Sequence, residues 1–236
     1  MTMQGISVLR AMPKIQQALM KVNDTREDEK ENLKLASAKE AAEFANKECE
    51  SGFPLMHAHT VVGCWGAFEA AIEDMLVGVL MNEPEVLRRE AFARLRIPLA
   101  EFELLDKEQR MRLLIGDLGR NSTFGRKQGV DGFEGMLAAV SLDGVIDDDI
   151  KKTIWEMHHV RNVIVHRVSL ADRRLVKNCS WMGLRIGDKV VVTHESLGSY
   201  GEALAKYVLI IVERACLRYG VDLKKRLAEK EAPKAS

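Results

Sequence analysis

The sequence has little of what usually announces a function. Its 236 residues carry 35 Lys and Arg against 35 Asp and Glu. With no net charge there is no global field to grip long stretches of nucleic-acid backbone, because proteins that do so present a strongly basic face. A cleft that engages only a few phosphates needs far less. The four cysteines, Cys49, Cys64, Cys179 and Cys216, lie far apart with no Cys-x-x-Cys pair. That excludes a zinc knuckle and a disulfide framework, and reduced thiols in a cytoplasmic protein are expected. The densest apolar stretches, residues 75–81 and 208–212, are much shorter than a membrane span, and no apolar run of secretory length opens the chain. A soluble protein with no membrane partner is the expectation. His57, His59, His158, His159, His166 and His194 have no acidic partner recurring at ligand spacing, and His57 and His59 point to nearly opposite sides of a helix. No metal and no other cofactor is therefore indicated. No internal repeat is visible.

What is there is helical patterning punctuated by proline. Pro13, Pro54, Pro84 and Pro98 each stand where a helix can begin, since the missing N–H costs nothing in a first turn. The pattern predicts a long helix from 13 to about 50 with a charged, exposed middle at 24–34. It predicts a central core helix over 54–82 carrying Val61, Trp65, Phe68, Ile72, Met75 and Val79 on one face. Shorter helices follow at 84–95, 98–105 and 107–118, the last capped by Asp106, and another from Phe133 to near Ser141. Trp181–Ile186 and Lys189–Thr193 flank Gly187-Asp188, a pair suited to a tight hairpin. A last helix over about 196–219 stops at Gly220. The expected fold is mainly α, a helical bundle with a long N-terminal helix and one small β-hairpin before the last helix. The expected division is an N-terminal helical extension over 1–52, a helical domain over 53–220 and a disordered tail over 221–236.

The most informative residues are Arg161-Asn162-Val163-Ile164-Val165-His166, near the end of a helix that opens at Asp147, Asp148 and Asp149 and places Ile150, Ile154, Met157 and Ile164 at helical spacing. At about 100° per residue, Trp155, His159, Asn162 and His166 form one stripe, with Arg161 on its flank. Such a stripe is either a solvated or ion-paired helix face, or a site. Without a metal, Arg and His support phosphodiester transfer within RNA. Imidazole titrates near neutral pH and can take the proton of a ribose 2′-hydroxyl or protonate the leaving 5′-oxygen. Guanidinium stabilises charge growing on phosphoryl oxygens, and Asn162 can orient the phosphate or the imidazole. Arg167, Arg173, Arg174 and Lys177 follow closely, opposed mainly by Asp172.

The string Val160-Arg161-Asn162-Val163-Ile164-Val165-His166-Arg167 resembles the Arg-x4-His signature of the HEPN superfamily of helical domains. The likeness extends over roughly residues 55–218. Trp65–Leu80 is similar to the long helix preceding the motif helix in these domains, and the order of later elements is similar too. The nearest group is the one named for its association with L-PSP-type endoribonucleases, or a related toxin and defence group. The resemblance implies a HEPN-like fold and a homodimer in which two motifs face each other across one cleft. Arg161, Asn162 and His166 would be catalytic, and Arg167, Arg173 and Arg174 would bind substrate RNA. It also implies a neutralising partner, a cognate antitoxin or a small nucleotidyltransferase. The alternative from a different class is a noncatalytic helical module that binds RNA, a nucleotide or a protein partner in the same groove.

Two further features bear on phosphate and cation contacts. The loop Gly119-Arg120-Asn121-Ser122-Thr123-Phe124-Gly125-Arg126-Lys127 has one residue too many for a phosphate loop and lacks Gly-Lys-Ser/Thr. It reads as a mobile surface loop whose Arg120, Arg126 and Lys127 can touch a phosphate backbone. Glu69, between Val62, Trp65, Ile72 and Leu76, is either a shielded carboxylate seeking a cation, with Arg161 the first candidate, or a boundary residue facing solvent.

Overall fold

The structure is a computed structural model, described for residues 3–22, 29–121 and 128–222. Those residues are mainly helical, with ten α-helices and no strand. Among them no helix is long and apolar enough to cross a membrane. The chain divides into two compact units. The first holds the described residues up to Thr60 with Val191–Leu197, and the second holds 61–190 with 198–222.

In the first unit, α1 (Met3–Val22) and α2 (Glu29–Glu50) are two helices packed on each other where one long helix was expected. Ile6 and Met20 of α1 and Ala38, Ala42 and Ala45 of α2 are buried. The small alanine face of α2 lets the two backbones approach, and that packing outweighs the loss of one backbone hydrogen bond at Pro13. Pro13 therefore lies inside α1 and does not start it. Residues 24–28 of the charged middle lie outside the described residues. Helix α3 (Pro54–Asn82) begins at its proline as expected. The buried Glu48 side chain accepts a hydrogen bond from the Leu55 N–H at 3.1 Å, satisfying one open donor of that first turn.

The second unit is built on the rest of α3. Val61, Trp65, Phe68, Ile72 and Val79 are buried as the spacing predicted, but Leu76 fills the position assigned to Met75, which is only half-buried. A step of four from Ile72 and three to Val79 keeps the stripe in register with 3.6 residues per turn. After a 3-10 turn (Pro84–Arg88) come α4 (Glu90–Ala93), α5 (Leu99–Glu103) and α6 (Lys107–Asn121). Asp106 caps α6 reciprocally: its Oδ1 accepts from the Gln109 N–H at 2.8 Å, and its own N–H donates to Gln109 Oε1 at 3.0 Å. Of the basic loop, Gly119 to Asn121 belong to α6 and residues 122–127 lie outside the described residues.

Helix α7 (Val130–Ala139) starts three residues before the expected Phe133. Its N-cap is Gly129 at φ 62, ψ −147, a backbone region that only glycine occupies readily. A Cβ there would also sit 2.9 Å from Cε3 of Trp155. Helix α8 (Asp148–Arg167) carries the motif, and α9 (Arg173–Asn178) and, from Gly198 onward, α10 (His194–Arg218) complete the unit. Phe68, Phe133 and Tyr207 meet edge-on or tilted at centroid distances of 4.8 and 5.8 Å, joining α3, α7 and α10.

The expected hairpin over 181–193 does not form. Trp181 belongs to a 3-10 turn (Ser180–Met182), and the only bridge among the described residues pairs Leu170 with Lys189. The tight turn is one residue earlier than expected, with the Asp188 N–H donating to the Arg185 carbonyl at 3.0 Å and Gly187 at φ 92 in the third position. That is the geometry in which a glycine is wanted. The flanking backbone then finds partners in the segment after α8. Ala171 N–H donates to the Asp188 carbonyl at 2.8 Å and Val190 N–H to the Ser169 carbonyl at 2.7 Å.

Candidate functional site

Helix α8 begins and ends as its sequence requires. The Asp147 carboxylate accepts from the Asp149 N–H at 2.8 Å, acidic residues occupy the first turn, and His166 and Arg167 occupy the last. The acidic residues and Arg167 each oppose the partial charge of their end of the helix. Ile154, Met157, Val160 and Val163 are the buried face, while Ile150 and Ile164, also expected there, are half-buried. The chain then leaves the helix abruptly. Val168 (φ 52) and Ser169 (φ 60) are both left-handed, and both donate to the Val163 carbonyl. For a β-branched residue this conformation costs on the order of 1–3 kcal/mol. It directs the chain into the Leu170–Lys189 bridge and on to α9.

On the open face, His158, Asn162 and His166 follow one another at four-residue spacing. Arg161 Nη1 donates to Asn162 Oδ1 at 3.1 Å, and Asn162 Nδ2 lies 3.0 Å from His158 Nε2. A guanidinium only donates, so Asn162 must turn its oxygen to Arg161 and its NH2 to His158. His158 Nε2 is then the acceptor, and the ring is neutral with its proton on Nδ1. Burial, with His159 and Arg161 nearby, pushes the His158 imidazole down to about 4. Its Nδ1 is buried without a hydrogen-bond partner among the described residues, and so is Arg161 Nε. Arg161 is half-buried, and among the described residues no carboxylate lies within 4 Å of it. Such a cation lacks its usual compensation and favours the arrival of an anion.

His166 is exposed, one turn beyond Asn162, and its side chain makes no hydrogen bond among the described residues. Arg167, Arg173, Arg174 and Lys177 are exposed as well, and none is ion-paired among the described residues. Asp172, the acid nearest in sequence, is engaged elsewhere: its Oδ1 caps α9 by accepting from the Leu175 N–H at 2.8 Å. The structure thus joins Arg161 to Asn162 by a direct bond and leaves His166 and the three arginines as separate, open groups.

Two placements depart from the sequence reading, and a third decides between two readings it left open. His159 does not share the open stripe; it is 4 % exposed, its Nε2 lies 3.1 Å from Asn178 Nδ2, and it meets Trp155 edge-on at 4.6 Å, tying α8 to α9. Glu69 is exposed and makes no ion pair with Arg161, so of its two readings the boundary residue facing solvent holds. His158 was missed. Its signal was the four-residue step to Asn162, but the ring beside it in sequence drew the assignment. Among the described residues no group of three or more His, Cys, Asp or Glu side chains converges as ligands to a metal would.

The His158 environment predicts an acid weakness. A histidine pushed down on folding is protonated first in the unfolded chain, so stability is complete above the ordinary histidine value near 6.5 and is lost as pH falls from there to about 4. The loss amounts to about 3 kcal/mol at most. Urea unfolding at pH 7 and pH 4.5 should show a smaller pH-dependent loss for His158→Gln than for the wild type. Equal losses in the two proteins would assign the acid weakness to other groups.

Compared with protein-family models, with curated proteins and with solved structures, the chain matches none.

Proposed function

We propose that this chain is a metal-independent endoribonuclease of toxin or defence type, with a HEPN-like helical domain and a composite site formed by two copies. The observation that carries the reading is Arg161, a half-buried guanidinium without a carboxylate partner among the described residues, fixed by Asn162 on the helix face that ends in an open imidazole. Arg161 would hold the non-bridging oxygens of one phosphodiester and stabilise their growing charge. His166 would take the proton of the adjacent 2′-hydroxyl as that oxygen attacks phosphorus. The bond from phosphorus to the 5′-oxygen then breaks, and a protonated imidazole delivers a proton to the leaving oxygen. The products are a 2′,3′-cyclic phosphate and a 5′-hydroxyl.

His158 is unsuited to the second role, because its ring is held neutral and its Nε2 is committed to Asn162. A second copy of His166, brought by a two-fold axis near the end of α8, supplies the missing acid. Arg167, Arg173 and Arg174 extend a cationic path for the strand, and a cognate antitoxin or nucleotidyltransferase partner would act by covering it. Cleavage should persist in excess chelator, leave a cyclic phosphate end, and fail on a substrate with 2′-deoxyribose at the cut. Light scattering should give the mass of two chains. A monomer with undiminished cleavage, or activity restored only by added magnesium or manganese, would overturn the composite-site mechanism.

The second reading, a noncatalytic module that binds RNA, a nucleotide or a protein partner, is favoured by one observation: no side chain among the described residues orients His166 by a hydrogen bond. Retained RNA binding without cleavage would select it.

A further inference from the structure

Two to three turns upstream of Arg161, α8 and the 3-10 turn after α9 border an open groove of about 430 Å³. Two indoles face it, Trp155 of α8 and Trp181 of the 3-10 turn, with Lys151 and Lys152 at its rim and Asp131 among its lining residues. Trp181 is 45 % exposed, unusual for so large an apolar ring. Both indole N–H groups already have partners. Trp155 donates to the Asn178 carbonyl at 3.3 Å and Trp181 donates to the Glu156 carboxylate. The rings are therefore held in fixed orientation with their polar edges taken, and the exposed part of Trp181 is left to offer. Lys152 Nζ stands 4.9 Å from the Trp181 ring centre and has no carboxylate within 4 Å among the described residues. Lys151 is 3.9 Å from the fully exposed Asp148, a pair that water largely screens.

Flat aromatic faces beside cations suit a ligand that is itself flat and carries negative charge close to its ring. An unpaired nucleotide has both, and base stacking on a fixed aromatic ring is tolerant of sequence. A duplex does not fit the same description, since its bases are already stacked on one another. The groove also lies in line with the motif. His166 follows Trp155 by eleven residues, which at 100° per residue returns to within about 20° of the same face and advances about 16 Å along the axis. Trp155 is stacked against His158 at 25° and 6.2 Å, so the aromatic surface continues into the Arg161–Asn162–His158 network.

We propose that this groove binds an unpaired base of single-stranded RNA, stacked on Trp181 and Trp155 with its phosphate at Lys151 and Lys152, at a nucleotide removed from the one being cut. The choice of RNA rests on the ribonuclease reading above; the stacking site rests on the groove. The groove fixes how the strand lies along α8 and sets the length a substrate needs for tight binding, which the motif by itself does not.

The test uses the full chain and a short 2′-O-methyl oligonucleotide, which cannot be cut by attack of the 2′-oxygen. Trp65 is 2 % exposed, so quenching of indole fluorescence reports Trp155 and Trp181. The oligonucleotide should quench, while the same sequence in a duplex or with abasic positions should not. Trp181→Ala should weaken binding by roughly 5- to 100-fold. Lys152→Glu, which leaves both rings in place, should weaken it and flatten its salt dependence. In cleavage assays Trp181→Ala should raise KM for oligonucleotides and leave a dinucleoside monophosphate, too short to reach the groove, cut at the wild-type rate. Quenching that depends on Trp181 in a protein that cuts no RNA would uphold the groove and remove the nuclease reading. Cleavage that requires His166 but is indifferent to folded Trp181→Ala and Lys152→Glu would overturn the groove and leave the nuclease reading standing.

Discussion

His166→Ala is expected to lower the rate of RNA cleavage by roughly 10²- to 10⁴-fold, the range over which a positioned acid–base group acts. Arg161→Ala is expected to lower it by about 10²- to 10³-fold through loss of charge stabilisation. Both proteins should melt close to the wild type, for reasons visible in their surroundings. His166 is exposed and bonds to nothing among the described residues, and Arg161 forms one side-chain hydrogen bond, to Asn162, with no ion pair to break. Because each copy of His166 would serve one proton transfer, a mixed dimer of wild-type and His166→Ala chains, left with a single motif imidazole, should also lose cleavage. Single-turnover cleavage and thermal melting of each variant decide the matter. Full activity in either folded variant removes that residue from the mechanism.

Glu134→Ala is expected to have the largest effect on stability. Its carboxylate, on α7, accepts from Arg214 Nη1 at 3.0 and 3.1 Å, from the Tyr207 hydroxyl at 2.8 Å and from the Gly144 N–H at 2.7 Å. Side-chain exposure is only 17 % for Arg214 and 13 % for Glu134. Removing one member strands a cation, a hydroxyl and an amide together, and breaking such a pair costs about 3–5 kcal/mol. For a chain of this size that corresponds to a melting temperature lower by roughly 6–20 °C. Burial and the neighbouring Glu134 carboxylate hold the Tyr207 phenol above its usual range, so in the wild type its hydroxyl donates to that carboxylate as a neutral group.

The consequence reaches the candidate site. Arg214 also donates to the carbonyls of Leu142 at 3.1 Å and Val145 at 3.3 Å, fixing the segment that leads into the Asp147 cap of α8. Gly144 is small there for a reason, since a Cβ would lie 2.9 Å from Arg214 Nη2. Glu134→Gln should lose less than Glu134→Ala, because the amide oxygen still accepts hydrogen bonds. Unchanged melting in Glu134→Ala would show that the cluster contributes little.

The helical character, the span of α3 and the caps at Asp106 and Asp147 were legible in the sequence because they depend on neighbours in the chain. A cap needs a side chain within three residues of the N–H it satisfies, and an amphipathic stripe repeats over a few turns. The same is true of the polar string Arg161-Asn162-x-x-x-His166, whose members share one helix. Local rules failed where a distant segment offered the backbone something better. Pro13 was taken into α1 because α2 buries Ile6 and Met20. The segment after Trp181 gave up its hairpin because residues 169–171 supply the partners of Gly187, Asp188 and Val190.

The sequence by itself thus determined a mainly helical chain and the order Arg, Asn, His along one helix. Only the tertiary structure decided which charges on that helix are free. Asp172 is withdrawn into a cap, Glu69 is exposed and does not pair with Arg161, and His159 is turned inward to Asn178. Arg161 keeps no carboxylate beside it among the described residues, and His158, not His159, holds the asparagine that orients it. Hydrogen bonds and ion pairs of this kind join residues remote in sequence, and spacing along one helix carries no information about what the other helices bring to meet it.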